Sequence, residues 1–284
     1  MKTYNDIYLT TRNLLRQNGI EACDTEARIL VAGAAGKTVE HLLRDLKLYT
    51  TGEVENRALD YTARRLKGEP VAYITGSWEF YGIDLVVTPD VLIPRMDTEL
   101  LVDAAKEILT GNKMDARVLD LCCGSGCITC AIAHELPATR LVAVDLSASA
   151  LEVCRRNVTD HKLNSRVLCI QADATSSPPL GIGSFDLIVS NPPYIASGDI
   201  QSLDRSVRDY EPIWALDGGE DGLRFYKAII KYWKSIIRPG GYLVFEVGEG
   251  QAKDVCDMLM AAGFSRTATR KDTLGIQRAV IGKM

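Results

Sequence analysis

No stretch of the 284-residue chain approaches the roughly 18 uninterrupted apolar residues that a membrane-crossing helix requires. The opening MKTYNDIYLTTRNLL has neither an apolar core nor a small-residue cleavage site, so no secretory leader is read there and a cytoplasmic setting is expected. Positive charge is not in excess either: 33 Lys and Arg stand against 37 Asp and Glu, for a net charge of −4. An autonomous nucleic-acid binder needs a large basic footprint, so protein or small-molecule partners are expected instead. The eight cysteines (Cys23, Cys122, Cys123, Cys127, Cys130, Cys154, Cys169, Cys256) are scattered through apolar segments rather than framing a small secreted scaffold, and reduced thiols are expected. Four of them crowd into one short segment with no second, well-separated ligand pair, so no metal site is expected. The three histidines, His41, His134 and His161, lack a paired Ser or Cys motif, which argues against His-assisted nucleophilic catalysis.

What the chain does have is an ordinary globular composition, 46% hydrophobic and 25% charged. Its length exceeds the usual single domain of roughly 100–200 residues, so two domains are expected. Residues 1–75 show apolar residues at helical spacing, with Asp24, Thr38 and Thr51 placed as N-caps and Gly19, Gly36 and Gly68 at helix ends. This reads as a small bundle of three or four helices. Residues 76–89 are read as a hairpin linker, part of a VAYITGSWEFYGIDLVVTP run (71–89) rich in aromatic and β-branched residues. From residue 90 to 284, apolar strands (RVLDL, RLVAVDL, RVLCIQAD, FDLIVS, YLVFEV) alternate with helical stretches, and two further strands are read around TATRK and QRAVIG. That alternation predicts an α/β fold with a doubly wound, mainly parallel seven-stranded sheet, in which ligands bind beyond the carboxyl ends of the strands.

Three strand ends carry acids or glycines suited to a nucleotide-like ligand. In DLCCGSG, Gly124 and Gly126 let backbone N–H groups come close to a ligand at a helix start. Thr129 occupies the last glycine position of the dinucleotide fingerprint, which weakens a nicotinamide reading. Asp145, about twenty residues further on, is placed to accept the hydroxyls of a ribose or to cap the next helix. Asp173 ends a third strand where an adenine would lie. The fourth strand runs into Asn191, Pro192, Pro193 and Tyr194. Neither proline can donate to a sheet ladder, and a residue before proline is held extended, so the Asn191 amide and the Pro192 carbonyl form a rigid pair of acceptors suited to a planar NH2 group. Tyr194 offers an aromatic wall.

This constellation resembles the class I S-adenosylmethionine-dependent methyltransferases that alkylate planar amino nitrogens. IPRMDTELLV (93–102), YEPIWALDGGEDGL (210–223), FEVGEGQ (245–251) and KDTLGIQR (271–278) narrow the resemblance to the release factor glutamine methyltransferase family (PrmC/HemK), over nearly the full chain. The resemblance implies methyl transfer from S-adenosylmethionine, with S-adenosylhomocysteine as product, to N5 of the glutamine in the glycine-glycine-glutamine motif of class I peptide chain release factors. It implies a cofactor site at Asp120, Cys122, Cys123, Gly124, Ser125, Gly126, Asp145, Asp173, Ala174 and Asn191. Asn191, Pro192, Pro193 and Tyr194 would hold the substrate, with Asn191, Pro192 and Tyr194 as the catalytic group. Asp120 would meet the cofactor's ammonium, and the N-terminal helices would recognise the substrate. A monomer is expected. An N6-adenine or N2-guanine nucleic-acid methyltransferase with the same NPPY centre is the alternative, and a non-catalytic partner-binding protein is a third reading. The chain departs from the family at Cys122 and Cys123, where glycine and threonine are usual, at Met96 and Asp97 in a motif usually IPRPETE, and at Ala174, often aromatic. These departures predict weaker cofactor affinity without a change of reaction. DGGEDG (217–222) is too acidic for a phosphate cradle and is read as a turn before a helix.

Overall fold

A computed structural model describes residues 2–110 and 115–284. The chain divides into two compact units, one of Met1–Ser77 with Asp204–Tyr210 and the other of Trp78–Leu203 with Glu211–Met284.

The smaller unit holds α1 (Tyr4–Gln17), α2 (Cys23–Ala35), α3 (Val39–Asp45), α4 (Gly52–Leu66) and the short α5 (Val71–Thr75). Thr38 and Thr51 cap α3 and α4 through their hydroxyls, and Gly36 ends α2 at φ +63°. Asp24 is not a cap. It lies inside the first turn of α2, where its carboxylate accepts the Tyr8 hydroxyl at 2.9 Å. A capping box at Thr3 and Asp6 opens α1, a start that the periodicity alone did not mark. Residues 71–75 are helical rather than extended: Tyr73 and Ile74 N–H both donate to the Pro70 carbonyl, and the chain turns at Gly76.

From Trp78 on, the larger unit begins with the hairpin of β1 (Ser77–Phe80) and β2 (Ile83–Val86), which turns at Tyr81 and Gly82, both at positive φ. Phe80, Ile83 and Leu85 are buried in this unit's core, so most of the span read as a linker is part of the α/β body. Then follow α6 (Glu99–Leu109), β3 (Arg117–Leu121), α7 (Cys127–Glu135), β4 (Arg140–Asp145), α8 (Ala148–Asp160), β5 (Val167–Gln171) and β6 (Phe185–Ser190). The short α9 (Arg205–Arg208) belongs to the smaller unit. The chain ends with α10 (Arg224–Trp233), β7 (Ile237–Glu246), α11 (Ala252–Ala261), β8 (Arg266–Lys271) and β9 (Gln277–Lys283).

The seven strands order as β5-β4-β3-β6-β7-β9-β8, parallel except for the two β9 pairings. Side chains alternate between two buried layers. Val118, Leu187, Val189 and Val244 pack with α6, α7 and α8, while Leu119, Leu121, Ile188, Leu243 and Phe245 pack with Tyr226, Ile229 and Trp233 of α10 and with α11. The chain winds outward from β3 through β4 to β5, then returns to place β6 on β3's other edge, which makes the β3/β6 boundary a topological switch point. Leu121 and Ser190, the last residues of these strands, are register partners. Among the described residues no helix is long and apolar enough to cross a membrane.

Asn157 of α8 ties the hairpin to this body. Its Oδ1 accepts the Val86 N–H at 2.7 Å, and its Nδ2 donates to the carbonyls of Val86 and Ser125, each at 2.9 Å. Asn157→Ala strands three main-chain groups at a buried site and is expected to cost about 2–4 kcal/mol, read as a lower urea midpoint.

Candidate active site

At the carboxyl ends of β3 to β6 lies a cavity of about 720 Å³. Cys122, Cys123, Gly124, Ser125, Asp145, Asp173, Ala174, Asn191 and Pro193 line it; Asp120, Gly126, Pro192 and Tyr194 do not. Sequence reasoning therefore places most, though not all, of its named residues on one wall.

The turn after β3 is held from below and from the side. Asp120 is wholly buried, and its Oδ2 accepts both the Thr129 N–H (3.1 Å) and the Thr129 hydroxyl (2.6 Å). The threonine that breaks the dinucleotide fingerprint thus satisfies a buried carboxylate. Burial nonetheless pushes the Asp120 pKa up to about 7. Its Oδ1 has no partner. Asp145 Oδ2 accepts the Gly124 N–H and its Oδ1 the Ser147 N–H, each at 2.9 Å, while Ser147, not Asp145, caps α8. Each Asp145 oxygen retains a lone pair for a ligand hydroxyl. Burial raises the Asp145 pKa against these bonds. Asp173 is opposed by burial too, but bonds from the Thr175 N–H and hydroxyl and from the Ser176 hydroxyl hold it below the ordinary carboxylate value.

Cys122 takes φ +60°, a left-handed conformation that costs a side-chain-bearing residue on the order of 1 kcal/mol. Gly124 (φ +51°) has open space where a Cβ would stand, whereas a Cβ on Gly126 would lie 2.6 Å from the Cys154 sulfur. The turn therefore packs tightly against α8 and opens toward the cavity. Among the described residues four carboxylates, Asp90, Asp145, Asp173 and Asp217, face one guanidinium, Arg224, around its wall. That balance favours a cationic ligand. Leu146, Ile213 and Trp214 stand more than half exposed at the same cavity and supply apolar surface.

The NPPY turn is braced by segments distant in sequence. Asn191 Nδ2 donates to the Thr98 hydroxyl (3.2 Å), and Thr98 donates to Glu246 Oε2 (2.6 Å). The Tyr194 hydroxyl donates to Glu246 Oε1 (3.2 Å), and the Tyr194 carbonyl accepts from Gln251 Nε2 (2.9 Å). The DGGEDG segment lies against the same turn. A Cβ on Gly218 would stand 2.7 Å from the Tyr194 Cα, and one on Gly222 2.4 Å from the Tyr194 carbonyl oxygen, so glycine is required for close packing rather than for phosphate. Glu211, buried, accepts from the Ile93 N–H and pairs with Arg95, tying the IPRMD segment to the loop that carries Ile213 and Trp214. Thr98, Glu246, Ile213 and Trp214 were not singled out from the sequence. Each lies in a segment quoted for the resemblance, but only the tertiary contacts distinguish it from its neighbours.

A doubly wound sheet with a cation-favouring cavity at its switch point and an NPPY turn at its rim is that of a class I methyltransferase. Comparisons with known proteins agree. Residues 96–205 match the methyltransferase small domain, and residues 6–76 the PrmC N-terminal domain. The fold is similar to that of the hMettl16 catalytic domain, solved in complex with MAT2A 3′UTR hairpin 6 (TM-score 0.58, 16% identity, 81% of each chain). It is also similar to a methyltransferase from Pyrococcus furiosus (TM-score 0.51, 18% identity, 79% of this chain and 98% of that one). In sequence the chain is 41% identical over 274 residues to the release factor glutamine methyltransferase of Geobacter sulfurreducens, covering 96% of this chain and 94% of the relative. It is 36% identical over 280 residues to that of Clostridium acetobutylicum, covering 97% and 96%. The chain belongs to the release factor glutamine methyltransferase family.

The strain at Cys122 is specific to its backbone. Cys122→Gly is expected to leave the unfolding free energy within about 0.5 kcal/mol, because relief of φ strain offsets the added chain entropy. Cys122→Val, β-branched in the left-handed region, is expected to lower it by about 1–2 kcal/mol in the same denaturation experiment.

Proposed function

We propose that the protein transfers a methyl group from S-adenosylmethionine to the side-chain N5 of the glutamine in the glycine-glycine-glutamine motif of class I peptide chain release factors. The observation that carries the chemistry is the turn after β6: among the described residues no donor engages Asn191 Oδ1 or the Pro192 carbonyl.

The residues present fit the cofactor. The Cys122–Ser125 turn lines the cavity, Asp145 suits the ribose hydroxyls and Asp173 the adenine edge. Leu146, Ala174 and Phe225 give the adenine apolar surface. Asp120 does not reach the wall, so its contribution is the field of a buried carboxylate beneath a cationic ligand, which in turn favours its ionised form. When bound, S-adenosylmethionine supplies an electrophilic methyl carbon.

A glutamine amide nitrogen is a weak nucleophile because its lone pair is delocalised into the carbonyl. Asn191 Oδ1, whose residue lines the cavity, accepts one of its hydrogens, and the carbonyl of Pro192, next in the chain though not itself among the lining residues, accepts the other; this fixes the plane of the amide and points the nitrogen at the methyl donor. Their partial negative charge favours the positive charge that develops on nitrogen during transfer. Because Pro192 and Pro193 hold the backbone, these acceptors need no reorganisation at the moment of reaction. Tyr194, fixed at both its hydroxyl and its carbonyl, bounds the amide on one side.

With methyl-labelled S-adenosylmethionine, label is expected on an intact release factor and on neither its Gln→Ala variant nor DNA; label on DNA would favour a nucleic-acid substrate. Asn191→Ala is expected to lower kcat by about 10²–10³-fold in this assay. Asp145→Ala removes a charged acceptor and is expected to weaken S-adenosylmethionine binding by about 10–100-fold, measured by calorimetry.

A further inference from the structure

An asparagine amide presents an acceptor at one end and two donors at the other, and its use as a hydrogen-bond acceptor depends on which end faces the cavity. The neighbours of Asn191 decide this. Thr98 Oγ1 carries a single proton, and its 2.6 Å contact to Glu246 Oε2 commits that proton to the carboxylate, which when ionised can only accept. The Thr98 oxygen is then left with lone pairs alone, so the Asn191 atom 3.2 Å away is the NH2 end. Oδ1 is thereby turned to the opposite side. The second oxygen of the same carboxylate accepts the Tyr194 hydroxyl. Thr98, which also borders the cavity, and Glu246 are each only 1% exposed, so water has little access to these bonds.

We propose that Glu246 is a positioning residue of the methyl-transfer site: through the Thr98 hydroxyl it holds the Asn191 amide with its oxygen available to the substrate, and it anchors Tyr194 at the same time. The inference rests on the acceptor role given to Asn191 above. If Glu246 is protonated, its carboxyl can donate to Thr98, the Thr98 proton is released toward Asn191, and the amide turns over. Its NH2 would then meet the substrate's NH2, donor against donor.

The groups around Glu246 set when this happens. Burial pushes its pKa up to about 7, and the Asp97 carboxylate pushes in the same direction; the Thr98 and Tyr194 hydroxyls and the Arg278 guanidinium of β9 oppose them. Arg278 is itself shared between Asp97 (3.4 Å) and Asp272 (3.2 Å), and on the α10 side the Tyr226 hydroxyl bonds the Glu246 main-chain carbonyl and Gln251 Oε1, not the Glu246 carboxylate. The productive, ionised form is present at high pH and is lost as pH falls through about 7.

The test compares Glu246→Gln, Thr98→Val, Thr98→Ser and Asn191→Ala with the unaltered protein. Single-turnover methylation of a release factor is followed from pH 5.5 to 9 with both substrates saturating, and S-adenosylmethionine affinity is measured separately. Glu246→Gln is expected to lower the rate by about 10–100-fold, the cost of losing a charged hydrogen bond, and to flatten the rise in rate across neutral pH. Cofactor affinity stays within about threefold because the carboxylate does not line the cavity. Thr98→Val, which keeps the shape and removes the relay, is expected to reproduce the loss, and Thr98→Ser to recover most of it. Should Glu246→Gln fail to fold, the Thr98 pair decides. Unchanged rate and pH profile in Glu246→Gln, or a Thr98→Ser no faster than Thr98→Val, overturns the inference. An Asn191→Ala protein as fast as the unaltered one overturns the acceptor reading itself, whereas an impaired Asn191→Ala beside an unimpaired Glu246→Gln overturns only the role of Glu246.

Discussion

A parallel sheet delivers the carboxyl ends of its strands to one edge, and in this chain the strand at the centre of that edge is followed, after the single residue Asn191, by two consecutive residues that have no N–H. Every β6 side chain is buried, so nothing in the strand's own apolar run would end it at Ser190. The prolines end it, because the ladder with β3 and β7 cannot be continued by residues that do not donate. The amide and carbonyl at 191 and 192 are therefore released from the sheet at the topological switch point, beside a turn held by buried carboxylates. The arrangement of the cavity depends on that interruption.

Carboxylates are placed around this edge at a cost. Asp120, Asp145 and Glu246 are each raised in pKa by burial, and each is partly compensated by donors from a different element: Thr129 of α7, the Gly124 and Ser147 N–H groups, and the hydroxyls of Thr98 and Tyr194. Such groups order their donors more strongly than neutral acceptors would, since charge-assisted bonds are shorter and stronger. They also leave negative charge beneath and beside a cavity whose wall already carries more acids than bases. Such a wall favours a cationic ligand by its field, without needing a positively charged surface.

Much of the fold was legible because the larger unit obeys simple patterns. Apolar runs such as LIVS and VLDL mark buried parallel strands, and Thr38, Thr51 and Gly36 mark helix ends through bonds that form within three or four residues. The misreadings have equally local causes. Asp24 resembles a cap by type, but α2 begins one residue earlier, and its carboxylate is taken by Tyr8. Val71–Thr75 has β-branched and aromatic residues, yet it closes into a helical turn on the Pro70 carbonyl. The hairpin reads as a linker by its glycines, but Asn157 and the burial of Phe80 and Leu85 join it to the sheet body.

The candidate site divides along the same line. By itself the sequence determined which turns stand at the strand ends around the cavity, because proline's missing donor and glycine's access to positive φ are properties of single residues and hold wherever the chain goes. It also determined the family, because several motifs recur in order along one polypeptide. Only the tertiary structure decided that Thr98, Tyr194 and Glu246 share one carboxylate-centred network, and that the acidic DGGEDG loop braces the NPPY turn. It also decided that Asp120 lies under the cavity rather than in it. Those facts depend on which strand ends lie side by side and on distances of about 3 Å between residues up to 148 positions apart, and no local pattern encodes them.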